Sequence, residues 1–233
     1  MTGRLSADHP LAALYAGIDR YYSRKVNIHG PTPAGVDWPC LPTQELRFEQ
    51  LLRVCGLQTP FSLNDIGCGY GALLAFLAKR HAQAERIDYL GVDLSAAMVA
   101  QARLLWHQRP QTEFLAASAS PRVADYSVAS GIFNVKLDQP RALWESFIAR
   151  TLADMHRTSR VGFAINFLAP LAGGEAGPPE LYRAAPEHWQ RHCEQALGVR
   201  VEVLQAYGLQ DEYTLLIRAP LRRPRRPMAA GGT

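Results

Sequence analysis

Long apolar runs, clustered cysteines and net charge are all scarce in this 233-residue chain, and each shortage removes a class of function. The longest uninterrupted apolar run, Ala72 to Ala78, is far too short to span a bilayer. Met1–Arg20 shows no charged-then-apolar pattern, so no secretory leader is expected. Cys40, Cys55, Cys68 and Cys193 have no C-x-x-C spacing, which argues against a disulfide framework or a structural zinc and for a reducing, cytoplasmic setting. Charged residues make up only 20% of the chain, and the formal charge of +4 equals the contribution of Arg222, Arg223, Arg225 and Arg226 alone. The remaining body sums to zero and is poorly equipped to hold a phosphate backbone, so nucleic acid is not the expected partner. With 48% apolar residues the chain is equally far from intrinsic disorder.

What is present is a change of period. Leu11–Tyr22 reads as an amphipathic helix, Asn27–Pro42 as a proline- and glycine-rich loop, and Thr43 as the N-cap of a second helix running to about Cys55 with Gly56 as its stop. Residues 1–58 therefore read as a helical cap or lid without strands of its own. From Phe61 strands alternate with helices. The strands are Phe61–Ile66, Ile87–Val92, Glu113–Ala116, Tyr126–Ala129 and Val161–Leu168; the helices are Gly71–His81, a Ser95-capped one to His107, Arg141–His156 and Pro186–Leu197. Val201–Ala206 and Glu212–Arg218 are joined by too few residues for a crossover helix, so they form an antiparallel hairpin. The expected fold is α/β: a Rossmann-like, doubly wound, mostly parallel seven-stranded sheet over residues 59–219, with a disordered basic tail at 220–233.

The segment Asn64-Asp65-Ile66-Gly67-Cys68-Gly69-Tyr70-Gly71-Ala72 follows a strand and opens a helix, the context in which glycine spacing acquires meaning. Such a turn brings backbone close to a ligand and aims free helix N–H groups at it. Asp93, 22 residues beyond Gly71, ends the second strand where a carboxylate can take the two hydroxyls of a ribose. Gly67-x-Gly69-x-x-Ala72 also satisfies the relaxed dinucleotide fingerprint. Asp65 argues the other way, because a carboxylate at the cofactor mouth repels a pyrophosphate and attracts an ammonium.

Asp65–Gly71 resembles the first motif of the class I S-adenosylmethionine-dependent methyltransferases, and Gly91-Val92-Asp93-Leu94-Ser95 resembles their second. Ala124–Phe133 is similar to their fourth-strand motif and Asp211–Leu215 to their final antiparallel strand, so the likeness covers about residues 61–218. The resemblance implies S-adenosylmethionine as cofactor and S-adenosylhomocysteine as product. It implies that Asp65, Gly67, Gly69 and Gly71, with Cys68 and Tyr70 between them, surround the methionine part. Asp93 would then take the ribose, Leu94 and Met98 would lie against the adenine, and the backbone of Ser130 and Gly131 would flank the cofactor. Where the family often places an acidic residue for the adenine amino group, this chain offers Ser118.

For the methyl acceptor the candidates come from the cap and from loops after the fourth and fifth strands. Tyr21, Tyr22, His29 and Trp38 supply aromatic walls and hydrogen-bonding tips, and Arg47 could hold a carboxylate of cofactor or substrate. Phe133, Asn134 and Lys136 follow the fourth strand, and Asn166 falls in the fifth. Tyr22, His29 and Asn134 are the candidates for catalytic contact; Tyr21, Trp38, Phe133, Lys136 and Asn166 for substrate. His188 and His192 share a helical face, but no third ligand is apparent and no metal is expected. Ser130-Gly131-Ile132-Phe133 lacks the proline pair of base-methylating enzymes, which again disfavours nucleic acid. The reading that follows is methyl transfer to a nitrogen or oxygen, less readily a carbon, of a small metabolite or natural-product intermediate. RNA or protein methylation, a non-catalytic cofactor-binding protein, and a nicotinamide oxidoreductase stand as alternatives.

Overall fold

The computed structural model describes residues 11–57, 60–81, 84–175 and 177–218. The sequence expectation for the arginine-rich tail lies outside these residues.

The strands β1 (Ser62–Ile66), β2 (Asp88–Asp93), β3 (Thr112–Ala116), β4 (Ala124–Ala129), β5 (Ser159–Leu168), β6 (Arg200–Leu204) and β7 (Glu212–Arg218) form one sheet in the order β3-β2-β1-β4-β5-β7-β6. The first five are parallel; β7 runs antiparallel to β6, as the short Tyr207–Asp211 connection requires, and also to β5. Strand order reverses between β1 and β4, so a crevice opens beyond the carboxyl ends of β1, β2 and β4.

Among the described residues six α-helices cover the sheet: α1 (Ala12–His29), α2 (Leu41–Leu52), α3 (Ala72–Arg80), α4 (Ala96–Trp106), α5 (Arg141–Arg157) and α6 (Pro186–Leu197). Period-two alternation divides the core between the two faces. Phe163, Ile165 and Phe167 of β5, with Tyr213, Leu215 and Ile217 of β7, join α1, α5 and α6 in one cluster. Ala164 and Leu216, pointing the other way, join Phe48, Leu51 and Leu52 of α2 and Leu73, Leu74 and Leu77 of α3 in the second. Among the described residues no helix is long and apolar enough to cross a membrane.

The amino-terminal helices differ from their sequence reading. α1 continues past Tyr22 to His29, where Gly30 at φ 65° ends it, and a short 3-10 turn, Pro33–Val36, interrupts the expected loop. α2 starts three residues earlier than an N-cap at Thr43 implies, with Cys40 in the N-cap position and Pro42 in the first turn; the Thr43 hydroxyl instead donates to the Cys40 carbonyl at 3.1 Å. α2 ends at Leu52. Residues 11–57 do not stand apart from the sheet: Leu11 and Leu14 belong to one core cluster, Phe48, Leu51, Leu52 and Val54 to the other.

The position of α1 answers a topological need. Residues 117–123 carry the chain from β3 to β4 without a helix, although such parallel crossovers usually include one. α1 covers the exposed face, its Leu11, Leu14, Tyr15 and Ile18 packing in the cluster that contains Leu115 and Ala117. Leu14 is 1% exposed. Leu14→Ala is expected to cost about 2–5 kcal/mol in urea unfolding, whereas Leu104→Ala, at a position 69% exposed, is expected to change stability by less than about 0.5 kcal/mol.

Candidate active site

The turn after β1 is built by positive φ angles at Gly67 (73°), Gly69 (54°) and Gly71 (85°), a sequence of left-handed residues that side chains would strain. Gly69 is held from the side: its N–H donates to Asp93 Oδ2 at 2.8 Å, which ties the turn to the end of β2. The other Asp93 oxygen accepts from Ser95 N, also at 2.8 Å. Ser95 caps α4 through Met98 N and meets Ser23 Oγ of α1 at 2.8 Å; Ser23 in turn donates to Asp19. The carboxylate at position 93 is thus fixed by the turn, the helix cap and, one bond further, the amino-terminal helix.

Asp65, the penultimate residue of the neighbouring strand, is buried, its Oδ2 accepting from Tyr89 Oη at 2.5 Å. Burial pushes its pKa up to about 7, against the bond from Tyr89 and reinforced by Asp93 nearby. Asp93 is pushed up to about 6, again chiefly by burial, with the N–H groups of Ser95 and Gly69 pulling the other way. Two carboxylates in one apolar enclosure, each short of a positive partner, define the electrostatics of the site.

A cavity enclosing about 940 Å³, its open mouth included, lies over these groups. Of the expected residues, Asp65, Gly67, Cys68, Gly69, Tyr70, Asp93, Leu94, Met98, Ser118, Ser130, Gly131, Tyr22 and Trp38 line it. Burial with Asp37, Tyr21 and Asp93 nearby raises the Tyr22 phenol far above neutrality, so Tyr22 offers a donor and a wall but no base. The Ser130 hydroxyl is buried and has no partner within the protein.

Other candidates fall outside the lining. Gly71 opens α3 and its backbone lies against Trp106 and Phe114, so its lack of a side chain serves packing. Arg47 is consumed by Glu212 and the Thr43 carbonyl, leaving no free edge for a ligand carboxylate. His29 is exposed at the end of α1. Tyr21 packs edge-on against Tyr22 and lies under Lys25, which pairs with Asp37 at 2.6 Å. Phe133 is a core residue stacked on Phe167, and Lys136 Nζ donates to the carbonyls of Leu137 and Gln139. Asn134 is buried with an unpartnered Oδ1, while Asn166 Oδ1 accepts the Gly131 N–H at 2.7 Å from beneath the site.

Sequence reasoning passed over Ile18, Val36, Gln44, Phe48, Ile132, Phe147 and Thr151, all of which line the cavity. Phe147 and Thr151 sit on the apolar face of α5, where nothing in their spacing distinguishes a wall from core. Val36 was legible only as part of a long loop beside a domain. Gln44 is 2% exposed with Oε1 unpartnered, and its site role follows from α2 folding across the mouth.

A family model described as a methyltransferase domain matches residues 64–154. A Mycobacterium tuberculosis protein, Rv1506c, whose name marks it as a candidate methyltransferase, is 40% identical over 167 residues, covering 72% of this chain and 98% of that one. The chain belongs to the class I S-adenosylmethionine-dependent methyltransferase family. Solved structures share its fold at low identity. A SAM-dependent methyltransferase from Aquifex aeolicus has a TM-score of 0.56 at 19% identity, covering 84% of this chain and 97% of that one. The N-methyltransferase NodS from Bradyrhizobium japonicum, crystallised with S-adenosylhomocysteine, has 0.61 at 16%, over 87% and 98%. Magnesium protoporphyrin IX methyltransferase from Synechocystis has 0.60 at 14%, over 91% and 100%.

Asp65 and Asp93 bind protons more tightly in the folded chain than at their ordinary value of 3.8. Their contribution to stability is therefore greatest at low pH and is lost as pH rises from about 4 to about 7. Urea unfolding between pH 5 and pH 8 is expected to show this loss, and Asp65→Asn to flatten it; an equal slope in wild type and variant would contradict the assignment.

Proposed function

We propose that the cavity holds S-adenosylmethionine and that the enzyme moves its methyl group, by in-line displacement, to a nucleophile of a small metabolite or natural-product intermediate. The observation that carries this reading is the charge of the lining. Asp65 and Asp93 are its acidic residues, and no lysine, arginine or histidine is found among the described lining residues. Such a pocket favours a ligand with an ammonium and a sulfonium over one with a pyrophosphate, which speaks against the nicotinamide alternative. Asp65 faces the site for the ammonium, Asp93 keeps lone pairs beyond its two N–H contacts for ribose hydroxyls, and the glycine turn leaves room for close approach. Leu94, Met98, Ala117, Ser118 and Ile132 supply an apolar slot with one hydroxyl for the adenine. When bound, the cofactor supplies an electrophilic methyl on a cationic leaving group.

This chain's own residues then have to bind, orient and dry the acceptor. Val36, Trp38 and Phe48 from the cap side bring apolar and aromatic surface, and Gln44 and Ser130 bring buried polar atoms that lack protein partners. That inventory suits an uncharged, largely apolar or aromatic acceptor. With Tyr22 protonated and both carboxylates engaged by the cofactor, no base is left among the described lining residues. A neutral amine, which needs none, fits better than a hydroxyl, which does. Alignment of the two reactants can account for much of the acceleration. The free cysteines, Cys40, Cys55, Cys68 and Cys193, suit a reducing, cytoplasmic setting.

Incubation with S-adenosylmethionine and a panel of aromatic amines and phenols is expected to yield S-adenosylhomocysteine with amines first, followed by mass spectrometry. Asp93→Ala is expected to weaken cofactor binding by about 1–3 kcal/mol in calorimetry, the range for a lost charged acceptor. Because a cation holds both carboxylates ionised, binding at pH 6 should release protons, seen as a dependence of the observed heat on buffer ionisation enthalpy. Equal affinity for NAD, or heat independent of buffer, would count against the reading.

A further inference from the structure

Glu212 begins β7 opposite Leu168 of β5, next to the buried Asn166–Thr214 pair, and it is 7% exposed. Its oxygens accept from Arg47 of α2: Nε donates to Oε2 at 2.7 Å and Nη2 to Oε1. Arg47 Nη1 donates to the Thr43 carbonyl at 2.7 Å. With its edges engaged, the guanidinium presents a flat face, and the Trp38 ring lies on it, 3.9 Å from the guanidinium carbon to the ring centroid. Trp38 then covers Gly131 so closely that a Cβ there would collide with the indole, and Gly131 has φ 71°. The Gly131 N–H is fixed by Asn166 Oδ1 at 2.7 Å, and Asn166 Nδ2 reaches back to Glu212 Oε2 at 3.4 Å.

The ring of contacts closes on one carboxylate. Through Arg47 it sets the indole of the cap; through Asn166 it sets the backbone after β4, which that indole touches. Trp38 and Gly131 line the cavity, whereas Arg47, Asn166 and Glu212 do not. A buried ion pair gives little stability over an apolar pair of the same volume. A planar fork that grips a carboxylate and still stacks on an aromatic ring is, however, something an apolar pair does not reproduce. We propose that Arg47, Glu212 and Asn166 are positioning residues that latch Trp38 onto Gly131 and so hold the cap closed over the cofactor site. The proposal rests on reading the cavity as the S-adenosylmethionine site.

The test uses the full chain labelled with 5-fluorotryptophan, whose four tryptophans give four fluorine resonances, Trp38 being assigned by its loss in Trp38→Phe. Arg47→Met combined with Glu212→Leu removes both charges and leaves neither unpaired; Arg47→Lys keeps the charge and loses the fork. In both, the Trp38 resonance is expected to shift while those of Trp144 and Trp189, buried in the core, stay in place. Stopped-flow dissociation of S-adenosylhomocysteine is expected to quicken about tenfold, the scale of one desolvated cation–π contact. An unmoved Trp38 resonance, or a wild-type dissociation rate, in Arg47→Lys overturns the latch, and that variant decides the matter if the double substitution does not fold. Failure of wild type to bind S-adenosylhomocysteine overturns the cofactor reading instead, and the Trp38 resonance still decides whether the latch exists.

Discussion

Two carboxylates, Asp65 buried and Asp93 half-buried at the floor of the cavity, set the terms for everything around them. Asp65, one residue before the end of β1, and Asp93, at the end of β2, lie on adjacent parallel strands, and burial pushes both above their ordinary range. The fold tolerates this because each charge has a partial answer: the Tyr89 hydroxyl for one, and the Gly69 and Ser95 N–H groups for the other. Those answers are neutral dipoles and leave the pair short of positive charge. A cationic ligand completes the arrangement; an anionic one worsens it. The glycine turn, the cap of α4 and the docking of α1 through Ser23 all converge on Asp93, so the local backbone is organised around that carboxylate.

The strands, the helices and the mostly parallel sheet were largely legible in the sequence, because period-two and period-3.6 patterns alternate from Phe61 onward; the strand order was not. β7 and α6 begin and end where residue patterning places them, at Glu212–Arg218 and Pro186–Leu197. The glycine turn and Asp93 were legible for the same reason: backbone that must approach a ligand writes itself into residue type. What was not legible depends on partners distant in sequence. Arg47 reads as a candidate for a ligand carboxylate, yet the carboxylate it meets belongs to Glu212, 165 positions away. Asn166 reads as a ligand contact, and its amide goes to Gly131 and Glu212. Phe133 reads as a pocket wall and is a core aromatic. In each case the chemistry of the side chain was identified and its partner was not.

α1 shows the same limit at the scale of an element. Its amphipathic spacing predicts a buried face but not which surface buries it. The helix-free crossover at residues 117–123 leaves one side of the sheet uncovered near β3, and α1 fills it. Ile18 and Tyr22 then come to line the cavity one and two turns beyond the residues that anchor the helix. Core and site share the element.

That sharing restricts how a ligand enters. Leu14 and Val26 hold α1, and Phe48, Leu51 and Leu52 hold α2, so neither helix can swing away without opening core. The connection between them, residues 30–40, carries Val36 and Trp38 over the glycine turn and Gly131, and it is fastened mainly by polar contacts, Lys25 to Asp37 and Arg47 to Trp38. A partly exposed ion pair is weak beside buried apolar surface. Residues 30–40, between Gly30 and Pro39, are therefore the part of the cavity wall that core packing holds least, since none of them belongs to either core cluster.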